Sequence, residues 1–131
     1  VLLDVFQKRE PHYASSAKVL SAVTNAEVTA YLSLHVVTTL FFLIGKYTTP
    51  SNANAALEWI LKYCEIPVSD KSTLIEAKNL AFSDFEDALL AQVAKESECQ
   101  YIITRNGDDF FKSPVEAITP QQFFDTVLNK K

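Results

Sequence analysis

Apolar positions in this chain recur mostly at helical spacing, interrupted by short β-prone runs. Val1, Leu2, Val5 and Phe6 give a helical stripe over residues 1–9, which Glu10-Pro11 stops. A second helix is predicted over 12–24, burying Ala17, Leu20 and Val23, with Asn25 ending it. Val28 to Leu34 reads as a short strand, and Val36 to Tyr47 as a strongly apolar helix closed by Gly45 and Lys46. Thr49-Pro50 sets an N-cap with proline at the first helical position, opening a helix to Tyr63 with Ala53, Ala56, Leu57, Ile60 and Leu61 on its inner side. Ile66-Pro67-Val68 is read as a brief strand, and Ser69/Asp70 caps a helix through about Ala81. Ser83 with Glu86 three residues on predicts a capping box for a helix over 84–97. Tyr101 to Thr104 and Val115 to Ile118 are strands, and Thr119-Pro120 opens the last helix.

Strands separated by helices, without tight hairpins, imply parallel pairing. The expected fold is α/β, a three-layer α/β/α sandwich around a central, mostly parallel sheet. Four strands are few for such a sheet. The chain begins Val1-Leu2-Leu3 and contains no Met, so the reading places a truncated first strand upstream of Val1. No repeat, low-complexity stretch or boundary composition interrupts residues 1–131, which are read as one domain.

Composition changes this picture little. With 131 residues, 48% hydrophobic and 21% charged, the chain has the make-up of a folded protein. A net charge of −4 argues against binding nucleic acid over the whole surface, so such a partner would need a local basic rim. Lys8, Arg9, Lys46 and Arg105 are candidates for it, with solvated charge as the alternative for each. Cys64 and Cys99 lack CxxC spacing and a His cluster, which fits buried reduced thiols in a cytoplasmic setting better than zinc. The longest apolar run, Val36 to Gly45, is broken by Thr38 and Thr39 and falls short of the roughly 20 residues a membrane span needs. No signal peptide is read at the front, and no membrane partner is expected. His12 and His35 have no nearby nucleophile, and core packing is the expected role of Trp59, Tyr63, Phe41 and Phe42.

Candidate chemistry gathers late in the chain. Asp84 and Asp87 fall one turn apart at a helix start, a place where the macrodipole alone favours acids. Asp87 is the more informative of the two, because Ala88, Leu89 and Leu90 flank it with apolar surface. Asn106, Asp108 and Asp109 follow the Tyr101–Thr104 strand, and parallel sheets bind ligands beyond the carboxyl ends of their strands. The competing reading is a polar Asn-Gly turn, with Asp108-Asp109 capping the helical turn before Phe110-Phe111. Carboxylates brought together at a sheet edge can hold Mg²⁺ or Mn²⁺, ions that activate water for displacement at phosphorus.

These segments resemble a PIN domain, the fold of the VapC-type toxin ribonucleases. Val1-Leu2-Leu3-Asp4-Val5-Phe6 with Arg9-Glu10-Pro11, Ser33 through Phe42, Asp84-Phe85-Glu86-Asp87-Ala88, Tyr101 through Asn106 with Asp109-Phe110, and Thr119 through Phe123 carry the likeness. The resemblance implies Mg²⁺- or Mn²⁺-dependent cleavage of RNA by four acidic positions. The first lies before Val1, the second falls on Thr39, the third is Asp87, and the fourth lies in the region of Asn106 and Asp109. It further implies Asp87 and Asp109 as metal ligands, and Asn106 beside them in catalysis. Thr104, Arg105 and Thr39 would contact substrate. An antitoxin protein and a second copy of the chain are the implied partners, in a bacterial cytoplasm. The gaps in the acidic set favour a second reading, a nucleic-acid-binding or protein-interaction module that cleaves weakly or not at all. A phosphoacceptor receiver domain fits the size but lacks the paired acids after a first strand and a late lysine.

Overall fold

The computed structural model describes residues 13–128. The predicted 1–9 helix, the rim residues Lys8 and Arg9, and the strand expected upstream of Val1 lie outside them. In chain order the elements are α1 (Tyr13–Thr24), β1 (Ala30–Tyr31), α2 (Leu34–Tyr47), α3 (Pro50–Tyr63), β2 (Cys64–Glu65), α4 (Lys71–Asn79), α5 (Phe85–Glu96), β3 (Tyr101–Ile103), a 3₁₀ turn (Gly107–Phe110), β4 (Glu116–Ile118) and α6 (Pro120–Phe123), which runs into a π turn (Phe124–Leu128). Both strand pairings are parallel. β1 lies beside β2, with Ala30 opposite Cys64 and Tyr31 opposite Glu65. β3 lies beside β4, with Ile102 opposite Ala117, and the Thr104 N–H extends that ladder by donating to the Ile118 carbonyl at 2.9 Å. Among the described residues the two ladders are separate. This is an α/β fold with helices packed against parallel strands.

Local chemistry sets the helix ends. The Thr49 hydroxyl accepts from the Asn52 N–H at 3.1 Å, with Pro50 filling a position whose N–H would have had no partner. Asp70 and Thr73 form a reciprocal capping box at α4, and Thr119 and Gln122 form another at α6. Three expectations need correction. The helix α2 ends at Tyr47 as expected, but Gly45 lies inside it and does not close it; the Thr48 N–H and hydroxyl both donate to the Ile44 carbonyl. The strand expected at Ile66–Val68 lies instead at Cys64–Glu65, because Pro67 has no N–H to give a ladder and Val68 is 94% exposed. Ser83 is not the cap of α5; Asp84 is.

The cores follow the ladders. Ala91 and Ala94 of α5 press on Ile102, Phe110 and Val115, their small side chains letting the helix sit close to the β3–β4 ladder. Val37 and Ile60 anchor a cluster with Leu32, Leu57 and Ile66 beside β1 and β2, while Ile44, Ala53 and Ala56 join α2 to α3. Trp59 and Tyr63 pack ring to ring at 5.5 Å, as one helical turn between aromatics allows. Phe41 and Phe42 depart from the expected packing role, since both project outward from α2. A polar clamp ties α4 to α5: the buried Thr73 hydroxyl donates to Glu96 Oε1 at 2.8 Å, and Gln92 Nε2 donates to Glu96 Oε2 at 2.7 Å. Among the described residues no helix is long and apolar enough to cross a membrane.

Candidate active site

Two segments build the site. The first is the start of α5, where Asp84 Oδ1 accepts from the backbone N–H groups of Glu86 at 2.8 Å and Asp87 at 3.3 Å. Capping occupies that carboxylate and fixes the first helical turn, which carries Asp87 at its third residue. The second is the connection from β3 to β4. After Thr104, whose hydroxyl accepts from the Asn106 N–H at 3.1 Å, the chain winds into the 3₁₀ turn, and the Asp109 N–H donates to the Asn106 carbonyl at 3.0 Å. Phe110 is buried at 6% exposure and meets Phe82 edge-on at 6.0 Å, locking this turn against the segment that leads into α5.

Between the segments lies an open cavity of about 260 Å³ lined by Phe82, Ser83, Asp84, Asp87, Asp108, Asp109, Phe111 and Lys112. Burial is the main cause that holds the Asp87 carboxyl above the usual carboxylate range, and the charges of Asp84, Asp109 and Glu86 add to it. Asp87 and Asp109, from two elements far apart in the chain, line the same cavity, and the Asp109 charge is felt at Asp87. Asp84 and Asp108, for which a cap and a turn are the alternative sequence readings, line the same cavity; Asp84 does so while also capping the helix.

The other expected site residues lie elsewhere. Thr39 is exposed on α2 and donates its hydroxyl to the His35 carbonyl at 2.9 Å. Asn106 is exposed at the mouth of the 3₁₀ turn, and Thr104 and Arg105 precede it; none of these four lines the cavity. Lys46, expected at a basic rim, lies over the rings of Phe42 and Tyr47. The cation that does line the cavity is Lys112, whose Nζ donates to the Ala81 carbonyl at 3.0 Å. Sequence reasoning missed it because its partner sits far back in the chain. The visible signal was the pair Phe110-Phe111: consecutive aromatics on a tight turn point apart, so one had to leave the core.

Two thiols stand apart from this chemistry. Burial, with a contribution from the Glu65 carboxylate, pushes the Cys64 thiol up to about 11, and burial also raises that of Cys99. Both are partly buried and remain protonated at neutral pH, hence poor nucleophiles.

The donors in the cavity are hard carboxylate oxygens, the type Mg²⁺ and Mn²⁺ prefer. Among the described residues no group of three or more His, Cys, Asp or Glu side chains is arranged to hold a metal ion. Mg²⁺ sites on substrate phosphates commonly use only one or two protein carboxylates, and Asp87 with Asp109 meets that smaller requirement.

Parallel strands covered by helices, with a carboxylate cavity where the β3–β4 connection meets a helix start, define an α/β protein of the acidic-cleft kind. A family model described as PIN domain matches residues 1–108. The chain belongs to the PIN domain family, whose members are in general nucleases that use divalent metal ions. Searches of curated proteins and of solved structures returned no match.

Proposed function

We infer that the chain is a Mg²⁺- or Mn²⁺-dependent ribonuclease whose metal site is poorer in charge than a full acidic quartet. The observation that carries this reading is the convergence of Asp87 and Asp109 on one cavity, where burial first, and then the charges of Asp84, Asp109 and Glu86, hold the Asp87 carboxyl up. A divalent ion bound there would relieve that repulsion and supply Lewis-acid activation of water and phosphate. Asp87 and Asp109 would hold it; Asp84 keeps the α5 turn in place through its two backbone bonds; Asn106 orients the turn that carries Asp109 through its carbonyl. Thr104, Arg105 and Thr39 would meet the strand outside the cavity. An antitoxin protein and a second copy of the chain, in a cytoplasmic toxin–antitoxin pair, are the partners that go with this function.

The test is cleavage of a mixed single-stranded RNA pool with Mn²⁺ and with EDTA. Asp87→Asn is expected to lose at least the roughly 10- to 100-fold that even an outer-shell partner of a metal ligand commands. Equal cleavage by the variant removes Asp87 from the reaction. One observation favours a second reading, RNA binding with little turnover: Thr39, at a position where the family resemblance expects an acid, spends its hydroxyl on the backbone of its own helix. In that case Mn²⁺ leaves the pool intact while the chain still retains RNA.

A further inference from the structure

The lip of the acidic cavity carries a pairing that metal binding does not require. Phe110 is pulled into the core beside Phe82, and this turns the next residue outward, so Phe111 lies at the cavity with 80% of its surface exposed. Its neighbour Lys112 lines the same cavity, with Nζ 5.6 Å from the Phe111 ring centroid and donating to the Ala81 carbonyl. Ala81, whose carbonyl meets the lysine, is itself in the left-handed region at φ 59°. An aromatic this exposed contributes almost nothing to the core, and it adjoins a cation at the mouth of a site otherwise lined by four aspartates.

A chain of net charge −4 has little long-range attraction to offer a polyanion. The face of a base, by contrast, stacks on an aromatic ring without regard to charge, and a lysine one residue away suits the phosphate that follows. We propose that Phe111 and Lys112 form a nucleotide-binding lip, on which an unpaired base of single-stranded RNA stacks on the Phe111 ring while the adjoining phosphate meets the Lys112 ammonium, delivering the strand to the cavity. The lip rests on the nuclease reading for its purpose, and its stacking half needs an unpaired base. Lys112 keeps its contact with Ala81 when the lip is empty, and exchanges part of that contact for phosphate when it is filled.

The experiment titrates the full chain, in EDTA to prevent turnover, with a single-stranded RNA carrying one 2-aminopurine, a base whose fluorescence falls on stacking. Wild type quenches the probe. Phe111→Ala is expected to bind about 5- to 100-fold more weakly without quenching, the range that loss of one stacked base gives, whereas Phe111→Trp retains both. Lys112→Gln is expected to reduce the slope of log affinity against log salt by about 0.7, the value for one phosphate contact on a single strand. Thermal melts of Phe111→Ala should match wild type, because the ring is outside the core. Wild-type affinity and quenching in Phe111→Ala overturn the proposal, as does a Phe111-dependent affinity for duplex equal to that for single strand; an unchanged salt slope in Lys112→Gln overturns its phosphate half. The two readings fail separately. Loss of cleavage in Asp87→Asn with the probe still quenched supports both, and a wild type that quenches the probe but never cleaves RNA ends the nuclease reading while the lip stands.

Discussion

Asp87 follows a capping carboxylate by three residues and shares a cavity with Asp109, so its ionised form meets partial desolvation first and neighbouring negative charge second. Its folded-state titration therefore lies above the ordinary 3.8, which makes the folded chain the tighter binder of that proton. The resulting stability is fully present below the unfolded value and is lost as pH rises through the folded one. At neutral pH the charge opposes folding. Asp87→Asn should raise Tm by a few degrees at most near pH 7, since solvent screens a group this open. That gain should vanish below about pH 3.8. Mn²⁺ should raise Tm of wild type more than that of the variant, and melts across pH with and without Mn²⁺ check both. Asp84 separates capping from charge: Asp84→Ala should cost about 1 kcal/mol in urea unfolding, and Asp84→Ser, which can still accept from Glu86 and Asp87, far less.

Elements with caps written into the sequence are legible in it. Thr49-Pro50, Asp70 and Thr119-Pro120 each open a helix where the residues say so, because the cap is a contact over three residues. Elements settled by distant partners are not. A glycine after an apolar stripe looks like a helix stop, yet Gly45 lies inside α2 and needs no left-handed backbone. A methyl group there would meet Ala53 Cβ at 3.6 Å, an ordinary contact. Gly45→Ala should therefore stabilise the chain by about 0.5–1 kcal/mol through helix propensity, measured by chemical denaturation. The strand shift from Ile66–Val68 to Cys64–Glu65 joins a local cause, the missing N–H of Pro67, to a distant one, the pairing of Cys64 and Glu65 with β1. In the cavity, Asp87 and Asp109 were nameable from flanking apolar residues and a strand end. Lys112 was not, because its contact with Ala81 exists only once the chain has folded.

Across the whole molecule, the cavity and the largest fully buried side chains belong to different regions. Ile44 and Ile60 lie under α2 and α3, beside the β1–β2 ladder, whereas the acidic cavity hangs on α5 and the β3–β4 connection. Ile60→Ala should cost about 2–5 kcal/mol in unfolding free energy while leaving the Mn²⁺-induced rise in Tm in place, and paired melts of variant and wild type test this. Loss of both together would mean that the two regions open as one unit.

The connection over residues 104–115 is held by its ends and its middle: Thr104 on the Ile118 carbonyl, Phe110 in the core, and Ser113, whose hydroxyl donates to the Val115 carbonyl and accepts from the Val115 N–H. Between those three pins, Asp108, Asp109, Phe111 and Lys112 are exposed. Such a loop is a cassette. Substitutions at its exposed positions leave the frame in register, because the contacts that hold it lie elsewhere.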